Sequence, residues 1–485
     1  MLRGVNSVAA RLAITVAIIY AMHFAPNVVR ETYLAVALAE RATVRVDPYL
    51  GLHPDIFEIP RRGAYINNNP GASMIGAVPY AIVRPVIELV YAAKPALVAP
   101  KPPATYDDPR PNRTRFMNEM RARGLDVRLG VAAIVIQLGV NVPLGVLGTL
   151  LIFWFLRDRT GRSREAMWFA LLYAFGTPMF FRSAFLNQNL ILAYCTLFAF
   201  LALTWRRGGS VLEPPPLDRW RALAAGALLG AGLLCDYSAA PLLAVFGVWV
   251  LATRGFGAAV RFGLGATGPI AVLLGYQQVA FGNALLPAQA YMPDTTLSVV
   301  GWHGLRPPMP DLLWRHLIDP AYGLFVFCPM LAASFLAPKR FGRQSVVRRE
   351  EIWLVFCASV ALYLFCSSIV FARLQWNTGI RYLLPAVPLL FIALVPVMKI
   401  KPRLSVWLLV VPTVAISWAV SMTRESVPVA FGRILRHGPE LPWNTVLMKT
   451  ADAYLTWLPR ASMPVLLYAV TGVAIWQLWT RWPSE

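Results

Sequence analysis

Carboxylates and arginines that could move a proton and hold an anion lie on the polar stretches between apolar segments. Glu31, Asp47 and Asp55 follow the first apolar segment. An ionised carboxylate can accept the proton of a hydroxyl group. An arginine such as Arg381 can bind a phosphate through two parallel hydrogen bonds. Together these groups suit a substrate that carries hydroxyl groups and an anionic phosphate.

Other residues on these stretches could bind a substrate. Aromatic rings can stack on sugar faces, amides can hydrogen-bond oxygen atoms, and arginine is suited to phosphate recognition. The candidates for binding are Arg62, Tyr65, Asn67, Asn68, Asn69, Asp236, Arg373, Trp376 and Arg381.

Structural interpretations of the same residues stay open. Asp47 and Asp55 could be solvated loop acids, and Glu31 beside Arg30 could form an interfacial ion pair of small energetic value. Arg381 could anchor to lipid phosphates. Asp236 could cap a helix with Ser238, and the run 187–189 (Asn-Gln-Asn) could cap a helix or line a cavity.

Apolar segments of the chain must position these residues. Most approach the ~20 residues needed to cross a membrane, and each must be helical because lipid offers no hydrogen-bond partners to the backbone. The sequence therefore predicts an all-α integral membrane protein with about twelve transmembrane helices. The segments are 9–27, 131–156, 166–181, 188–205, 221–236, 239–253, 262–281, 321–337, 352–371, 383–398, 404–422 and 463–480.

Arginine and lysine residues collect on alternate connections, and short basic loops stay in the cytoplasm. Both termini are therefore predicted to be cytoplasmic. Segment 72–98 is predicted to lie along the membrane surface or to enter it partway, because Pro79, Pro85, Arg84 and Glu88 interrupt its apolar run. The remaining connections, which include a large first loop, face outward: 28–130, 182–187, 237–238, 282–320, 372–382 and 423–462.

Composition excludes several classes of protein. Hydrophobic residues make up 57% of the chain and charged residues 14%, which is unlike a soluble domain. The net charge of +21 is spread over loops on both sides, so it does not indicate nucleic-acid binding. The five cysteines lie in apolar segments without metal-ligand spacing. Carboxylates combined with phosphate oxygens suit Mg²⁺ or Mn²⁺, although no residue demands a metal.

Several segments resemble the GT-C type of bacterial membrane glycosyltransferase, related to the protein O-mannosyltransferase and aminoarabinose transferase group. Residues 31–47 resemble the family's entry into its acidic outer loop. Residues 63–71 are similar to an element that precedes an apolar segment, and 376–385 to the family's WxGGxxxGxRYLLP run. Asp236-Tyr237 at a helix end and 319–329, where Gly-Leu-Phe enters a helix, complete the resemblance.

The resemblance implies a single GT-C membrane domain over 1–485, placed in the bacterial inner membrane among its lipids, with an extracytoplasmic active site. Such enzymes transfer a sugar from a polyprenyl-phosphate donor to a hydroxyl of a lipid, glycan or protein acceptor. The base would be an acid of the first outer loop, Asp47 or Glu31 ahead of Asp55. Arg381 would hold the phosphate, with Arg62 and Arg373 as secondary candidates.

One departure from the family pattern keeps other functions open. The family commonly has lysine before the Pro-Gly pair, where this chain has Asn69, and an amide cannot neutralise a phosphate. A membrane protein that kept the fold and lost the chemistry is therefore one alternative. A transporter or lipid flippase is the other, although the two halves of the chain show no convincing repeat of the kind expected for transporters.

Overall fold

Helices dominate the computed structural model, which describes residues 8–106, 111–208, 219–293, 299–339, 346–375, 379–400, 403–444 and 462–480. The α-helices in chain order are α1 (Val8–Met22), α2 (Arg30–Arg41), α3 (Gly71–Ala93), α4 (Pro111–Ala122), α5 (Asp126–Ile136), α6 (Val142–Thr160), α7 (Ser163–Gly176), α8 (Pro178–Arg182), α9 (Gln188–Thr204), α10 (Arg219–Cys235), α11 (Ala239–Arg254), α12 (Phe256–Phe281), α13 (Pro310–Ile318), α14 (Leu324–Phe327), α15 (Arg349–Ser367), α16 (Val387–Ile400), α17 (Arg403–Thr423), α18 (Val427–His437) and α19 (Ser462–Thr480).

Six helices among the described residues are long and apolar enough to cross a membrane: Gly71–Ala93, Asp126–Thr160, Phe256–Phe281, Arg349–Ser367, Leu404–Thr423 and Met463–Thr480. The chain is therefore a multi-pass membrane protein. Five more apolar helices of 10–17 residues lie within other predicted segments. The number of twelve spans stays a prediction.

Two predicted segments are not single α-helices, and a proline explains each break. Segment 166–181 divides into α7 and α8 at Thr177, which is extended (φ −109°, ψ 162°) and precedes Pro178. Segment 321–337 consists of the short α14 and a 3₁₀ stretch, Pro329–Lys339, divided at Cys328. The ring of a proline clashes with a preceding residue in the α conformation. Periodicity alone did not indicate these breaks.

The continuous helix Asp126–Thr160 contacts two different sets of neighbours. A π-helical turn, Gln137–Asn141, joins its two parts, α5 and α6. Its first part runs antiparallel to α3, since Gly139 lies against Pro79 and Arg128 forms an ion pair with Glu88. Its second part packs closely on α1 and α9, where Gly145 and Gly148 face the rings of Tyr20 and Tyr194.

Helix α3 corresponds to predicted segment 72–98 and continues through both of its prolines. Its charged residues find partners, because Arg84 donates to the carbonyl oxygens of Ala39 and Glu40 at 3.1 and 3.3 Å, and Glu88 pairs with Arg128 at 2.8 Å. Its length and composition also allow a full crossing. The surface placement stays a prediction.

A β-hairpin lies between α2 and α3. Strands β1 (Ile56–Ile59) and β2 (Gly63–Ile66) pair antiparallel, with Ile56 opposite Ile66. Arg61 and Gly63 adopt positive φ angles of 65° and 107° in the turn. Because the two open ends of a hairpin are adjacent, the residues just before β1 and just after β2 lie side by side. The backbone N–H of Asn67 accordingly donates to the carbonyl oxygen of Asp55 at 3.1 Å.

Candidate functional site

Five separate parts of the chain bring polar side chains together at one end of α9. Glu31 lies in the first turn of α2, Asn68 follows β2, and Asp236 follows the last residue of α10. Gln188 and Asn189 begin α9. We refer to Glu31, Asn68, Gln188, Asn189, Asp236 and Arg381 as the polar network.

Hydrogen bonds connect the polar network from Glu31 to Arg381. Asn68 Nδ2 donates to Glu31 Oε1 at 2.6 Å and also to Gln188 Oε1. Gln188 Nε2 and Asn189 Nδ2 both donate to Asp236 Oδ2, at 2.6 and 3.3 Å. Arg381 Nε donates to Asn189 Oδ1 at 3.1 Å. The donors thus point toward the two carboxylates, whose oxygen atoms act as acceptors.

Helix ends hold these side chains in position. The side chain of Asn187 caps α9 by accepting from the backbone N–H groups of Asn189 and Leu190. Asp236 Oδ1 accepts a hydrogen bond from the backbone N–H of Ser238 at 2.8 Å, while its Oδ2 accepts one from Gln188 in the polar network. The capping interpretation of the run 187–189 therefore holds together with a position in a polar cluster, whereas Asp236 binds the backbone of Ser238 without a side-chain cap on α11.

Burial distinguishes the polar network from a solvated surface. Glu31 is 4% exposed, Asp236 is 9% exposed and Asn189 is fully buried. Hydrogen bonds to a buried carboxylate are stronger than in water, because few water molecules compete for the acceptor. A cluster this deeply buried and this polar is costly unless it is satisfied or serves a ligand.

An ion pair extends the polar network toward the β-hairpin. Arg30 pairs with Asp55 and lies 3.5 Å from Glu31. Although burial opposes the effect, the Arg30 guanidinium holds the pKa of Asp55 below its usual value. His53 Nδ1 accepts the backbone N–H of Asp55 at 3.1 Å, and burial lowers the pKa of His53. The 3.7 Å contact between His53 and Asp55 is therefore best described as one with a neutral imidazole.

Further arginines give one side of the site a strong positive charge. Arg182 is 2% exposed, and burial together with the charges of Arg381 and Arg424 lowers its pKa. The Cζ atoms of Arg182 and Arg424 lie 5.3 and 4.5 Å from the ring centre of Phe185. Arg182 thus lies close enough to Arg381, Arg424 and Glu31 to interact with each of them electrostatically, in an arrangement that favours an anionic ligand.

Two groups in the site retain hydrogen-bonding capacity. The side chain of Arg381 uses its Nε for Asn189, and within the described residues its terminal NH₂ groups make no hydrogen bond. Glu31 accepts from Asn68 through Oε1, and Oε2 accepts no hydrogen bond from the part of the chain that the structure describes. The site therefore offers a carboxylate oxygen and a guanidinium edge to a ligand.

Three predicted residues near the hairpin have other contacts. Asp47 is 41% exposed at its side chain and is bound by Arg45 at 2.9 Å and by the backbone N–H of Ala64 at 2.8 Å. Burial raises the pKa of Asp47, but these hydrogen bonds together outweigh burial and lower the pKa below its usual value. Tyr65 donates to the carbonyl oxygen of Arg62 at 3.1 Å and packs edge-on against Phe281. Arg62 lies against Gly282.

Asn67, Asn69 and Arg373 also have contacts apart from the polar network. Asn67 is in contact with Met292 and Gln289. Asn69 donates to the carbonyl oxygen of Leu233 at 2.8 Å, which ties the loop to the end of α10. Arg373 forms a two-pronged ion pair with Asp311, with contacts of 2.7 Å. Trp376 lies outside the described residues.

Sequence reasoning did not assign site roles to Arg30, His53, Arg182 or Arg424. Gln188 and Asn189 were considered as part of the run 187–189, which could cap a helix or line a cavity. A usable signal existed for these two, because polar amides at the start of an apolar helix are costly unless they face a cavity. For Arg182 the signal was a charge directly after the apolar segment 166–181.

Metal binding has no support from side-chain clustering. No group of three or more His, Cys, Asp and Glu side chains that could hold a metal ion occurs in the described part of the chain.

Comparisons with known proteins contribute one structural likeness. No family model and no curated protein matches the chain. The chain is similar to an archaeal oligosaccharyltransferase, AglB from Archaeoglobus fulgidus, solved with an inhibitory peptide and a dolichol-phosphate. The TM-score is 0.43 and the sequence identity 12%, over 86% of this chain and 56% of that chain. A likeness of this size does not bear on the activity of this chain.

Proposed function

We propose that this protein transfers a sugar from a polyprenyl-phosphate donor to an acceptor hydroxyl outside the cytoplasm. The acceptor would be a lipid, a glycan or a protein. The proposal is supported by the sequence resemblance to GT-C glycosyltransferases and by the chemistry of the polar network. A carboxylate that can accept a proton and guanidinium groups that can bind a phosphate occupy one buried site.

Glu31 is the proposed base. Its Oε2 accepts no hydrogen bond from the described residues, so it is available to the hydroxyl of an acceptor. Asp55 suits the role less well, because its lowered pKa makes it a weaker base and Arg30 already occupies it. Asp47 also suits it less well, because it is bound to Arg45 and shares no hydrogen bond with the polar network among the described residues.

Arg381 is the proposed ligand for the donor phosphate. Asn189 fixes its Nε, which orients the terminal NH₂ groups and lowers the entropy lost when a phosphate binds. Arg182 and Arg424 would add positive charge as the phosphate leaves. These arginines would supply the positive charge that Asn69 lacks. The side chain of Asn69 instead binds the carbonyl oxygen of Leu233 and holds its loop in place.

The inferred placement is the inner membrane of a bacterium, with both termini in the cytoplasm and the polar network on the outer side. If a divalent cation takes part, a carboxylate such as Glu31 would hold it, and the cation would help to neutralise the charge of the phosphate. The single observation that carries the proposal is the hydrogen-bonded connection from Glu31 to Arg381 across five parts of the chain.

The proposal is tested by the surface glycans and glycolipids of cells that lack the gene, measured by mass spectrometry. We expect one sugar to be missing and to return with the wild-type gene. Glu31→Gln should leave the protein folded and reduce the product by about 10²- to 10⁴-fold, the usual contribution of a general base. Asp47→Asn is the matched control and should restore the product.

Two results would contradict the proposed function. One is an unchanged set of glycans in cells without the gene. The other is full restoration by Glu31→Gln. A solute-gradient defect in deletion cells whose glycans are normal would instead favour a transporter.

A further inference from the structure

An open groove lies at the end of α9 opposite the polar network. It has a volume of about 370 Å³ and lies between α6, α9 and α10. Its floor is apolar and consists of Leu151, Phe198, Leu201 and Ala202. We call this feature the basic groove, because Arg206, Arg207 and Arg221 line it together with Trp205.

The polypeptide around the basic groove is held by its own hydrogen bonds. Asp158 accepts the indole N–H of Trp205 and the backbone N–H of Gly208, each at 3.1 Å. Arg221 donates to the carbonyl oxygens of Ala202 and Trp205 at the end of α9. Arg221 therefore satisfies the helix end, and the shape of the groove is set before any ligand binds.

Two exposed arginines at the basic groove form no ion pair with the part of the chain that the structure describes. Arg206 and Arg207 are exposed, and no carboxylate of the described residues lies within ion-pair distance of either side chain. The nearby Asp158 lies 3.6 Å from Arg157 instead. The guanidinium of Arg207 lies 5.5 Å from the ring centre of Trp154. A cation–π contact holds the arginine in place and leaves its hydrogen-bond donors available.

We propose that the basic groove binds an anionic glycerophospholipid. One acyl chain would lie on the floor formed by Leu151, Phe198 and Leu201, and the headgroup phosphate would lie between Arg206 and Arg207. Basic pockets between membrane helices are suited to anionic lipid headgroups, and a planar guanidinium can make two hydrogen bonds to one phosphate. The apolar floor and the two exposed arginines together fit a lipid better than a soluble anion.

This site is separate from the polar network. Gln188 and Asn189 begin α9, whereas the basic groove surrounds its last turn, 17 residues later. A helix of that length extends for about 25 Å, at a rise of 1.5 Å per residue. The lipid would therefore contact the opposite face of the membrane and not the proposed glycosyl donor. Its binding does not depend on the proposed function.

The test is lipid retention by the full-length protein in nanodiscs of equal parts phosphatidylglycerol and phosphatidylcholine. After transfer to detergent, native mass spectrometry counts the lipids that remain bound. We expect wild-type protein to retain phosphatidylglycerol in preference to phosphatidylcholine. Arg206→Gln/Arg207→Gln should weaken this preference by about 30-fold, which is the contribution of two basic residues near an anionic surface.

Matched variants separate charge from shape. Arg162→Gln/Arg164→Gln removes two exposed arginines at the start of α7, outside the groove, and should retain the preference. Ala202→Trp would fill the floor and should release the lipid although both arginines remain. Inorganic phosphate should not displace the lipid, because it lacks the acyl chain.

The proposal is overturned if wild-type protein retains both lipids equally. It is also overturned if the two double variants lose the preference to the same extent, or if Ala202→Trp retains the lipid. Displacement by inorganic phosphate alone would indicate a soluble anion site and would contradict the lipid assignment.

Discussion

Asn68 and Asn69 are neighbours in the chain but have different environments. Asn68 bridges Glu31 and Gln188, whereas Asn69 anchors its loop to the carbonyl oxygen of Leu233. The family resemblance directs attention to Asn69, because a lysine is common there. In this molecule the neighbouring amide belongs to the polar network, and under the proposed function arginines from other parts of the chain would supply the positive charge.

Individual residue types predicted the chemistry of the site better than they predicted which residues form it. Glu31, Asn68, Asp236 and Arg381 were expected near a ligand and do lie in one connected cluster, although their roles stay predictions. Asp47 was ranked beside Glu31 because the two acids lie at the ends of the segment 31–47, which resembles the family's entry into its acidic outer loop. The sequence does not show that Arg45 and Ala64 would bind Asp47 locally.

Arg381→Lys tests whether the guanidinium shape is needed at the proposed phosphate site. Lysine keeps the charge but lacks the Nε bond to Asn189 and the planar pair of donors. We expect the KM for the donor to rise by about 10- to 100-fold, since a hydrogen bond to a charged group contributes about 1.5–3 kcal/mol. A transfer assay on membranes from complemented cells provides the measurement.

Arg373→Lys is the matched control for that substitution. Arg373 also follows α15, but it pairs with Asp311 outside the polar network. The same change there should leave the KM for the donor within about twofold of wild type. Equal effects at Arg381 and Arg373 would refute the assignment of the phosphate to Arg381.

Helix α10 packs against α12 through glycines. Gly226 and Gly230 are four residues apart, and a Cβ on Gly226 would clash with the carbonyl oxygen of Phe262, while one on Gly230 would lie 3.0 Å from the Cα of Ala266. Small residues at this spacing allow two membrane helices to approach closely. This contact holds the end of α10 from which Asp236 enters the polar network.

Gly226→Ala should therefore destabilise the protein. Overpacking of a tight contact costs about 1–3 kcal/mol, so we expect the thermal unfolding temperature in detergent to fall. Gly263→Ala on α12 is the control, because no atom lies within 4 Å of its added Cβ. Alanine favours a helix by up to about 1 kcal/mol over glycine, so the control should be unchanged or more stable.

An unfolding temperature for Gly226→Ala at or above that of wild type would contradict the close packing of α10 on α12. A loss of stability in Gly263→Ala as large as that in Gly226→Ala would do the same.

At the scale of elements, apolar runs predicted the positions of the helices well. They predicted the breaks inside these helices poorly. The segments that became α9, α11, α15 and α17 agree with their predicted ranges within a few residues. Segments 166–181 and 321–337 are divided at residues that precede a proline. Runs of apolar residues are the stronger signal and mask such local restrictions. The β-hairpin was not predicted, because its two strands have only four residues each.

For the whole molecule, the distribution of basic residues predicts which connecting loops lie on the cytoplasmic side of the membrane. The hairpin residue Glu58 is exposed and should lie outside, whereas Arg162 is exposed and should lie inside. We expect Glu58→Cys to react with a membrane-impermeant maleimide on intact cells. Arg162→Cys should react only after the membrane is permeabilised.

Cys357 is the exposed native cysteine within the described residues and would be replaced by serine for that experiment, while the other four are buried. Labelling of Arg162→Cys on intact cells, together with protection of Glu58→Cys, would reverse the predicted orientation. It would also place the polar network on the cytoplasmic face.

The sequence predicts membrane insertion better than it predicts contacts between residues that are distant in the chain. Apolar composition and the basic loops indicate a multi-pass protein directly. The convergence of Glu31, Gln188, Asp236 and Arg381 depends on the packing of several helices, and a single sequence contains no direct signal for such contacts. The predicted topology put the first outer loop and Arg381 on the same side of the membrane, and the resemblance to a family linked them in one site.

The most direct measurement is an electron cryomicroscopy structure of the protein in nanodiscs with polyprenyl phosphate. We predict a phosphate at the end of α9 that begins with Gln188, with its oxygens about 2.7–2.9 Å from the guanidinium nitrogens of Arg381. Glu31 should face the same cavity. If the phosphate binds elsewhere and makes no contact with Arg381 at saturating lipid, the proposed base and the donor phosphate do not share a site.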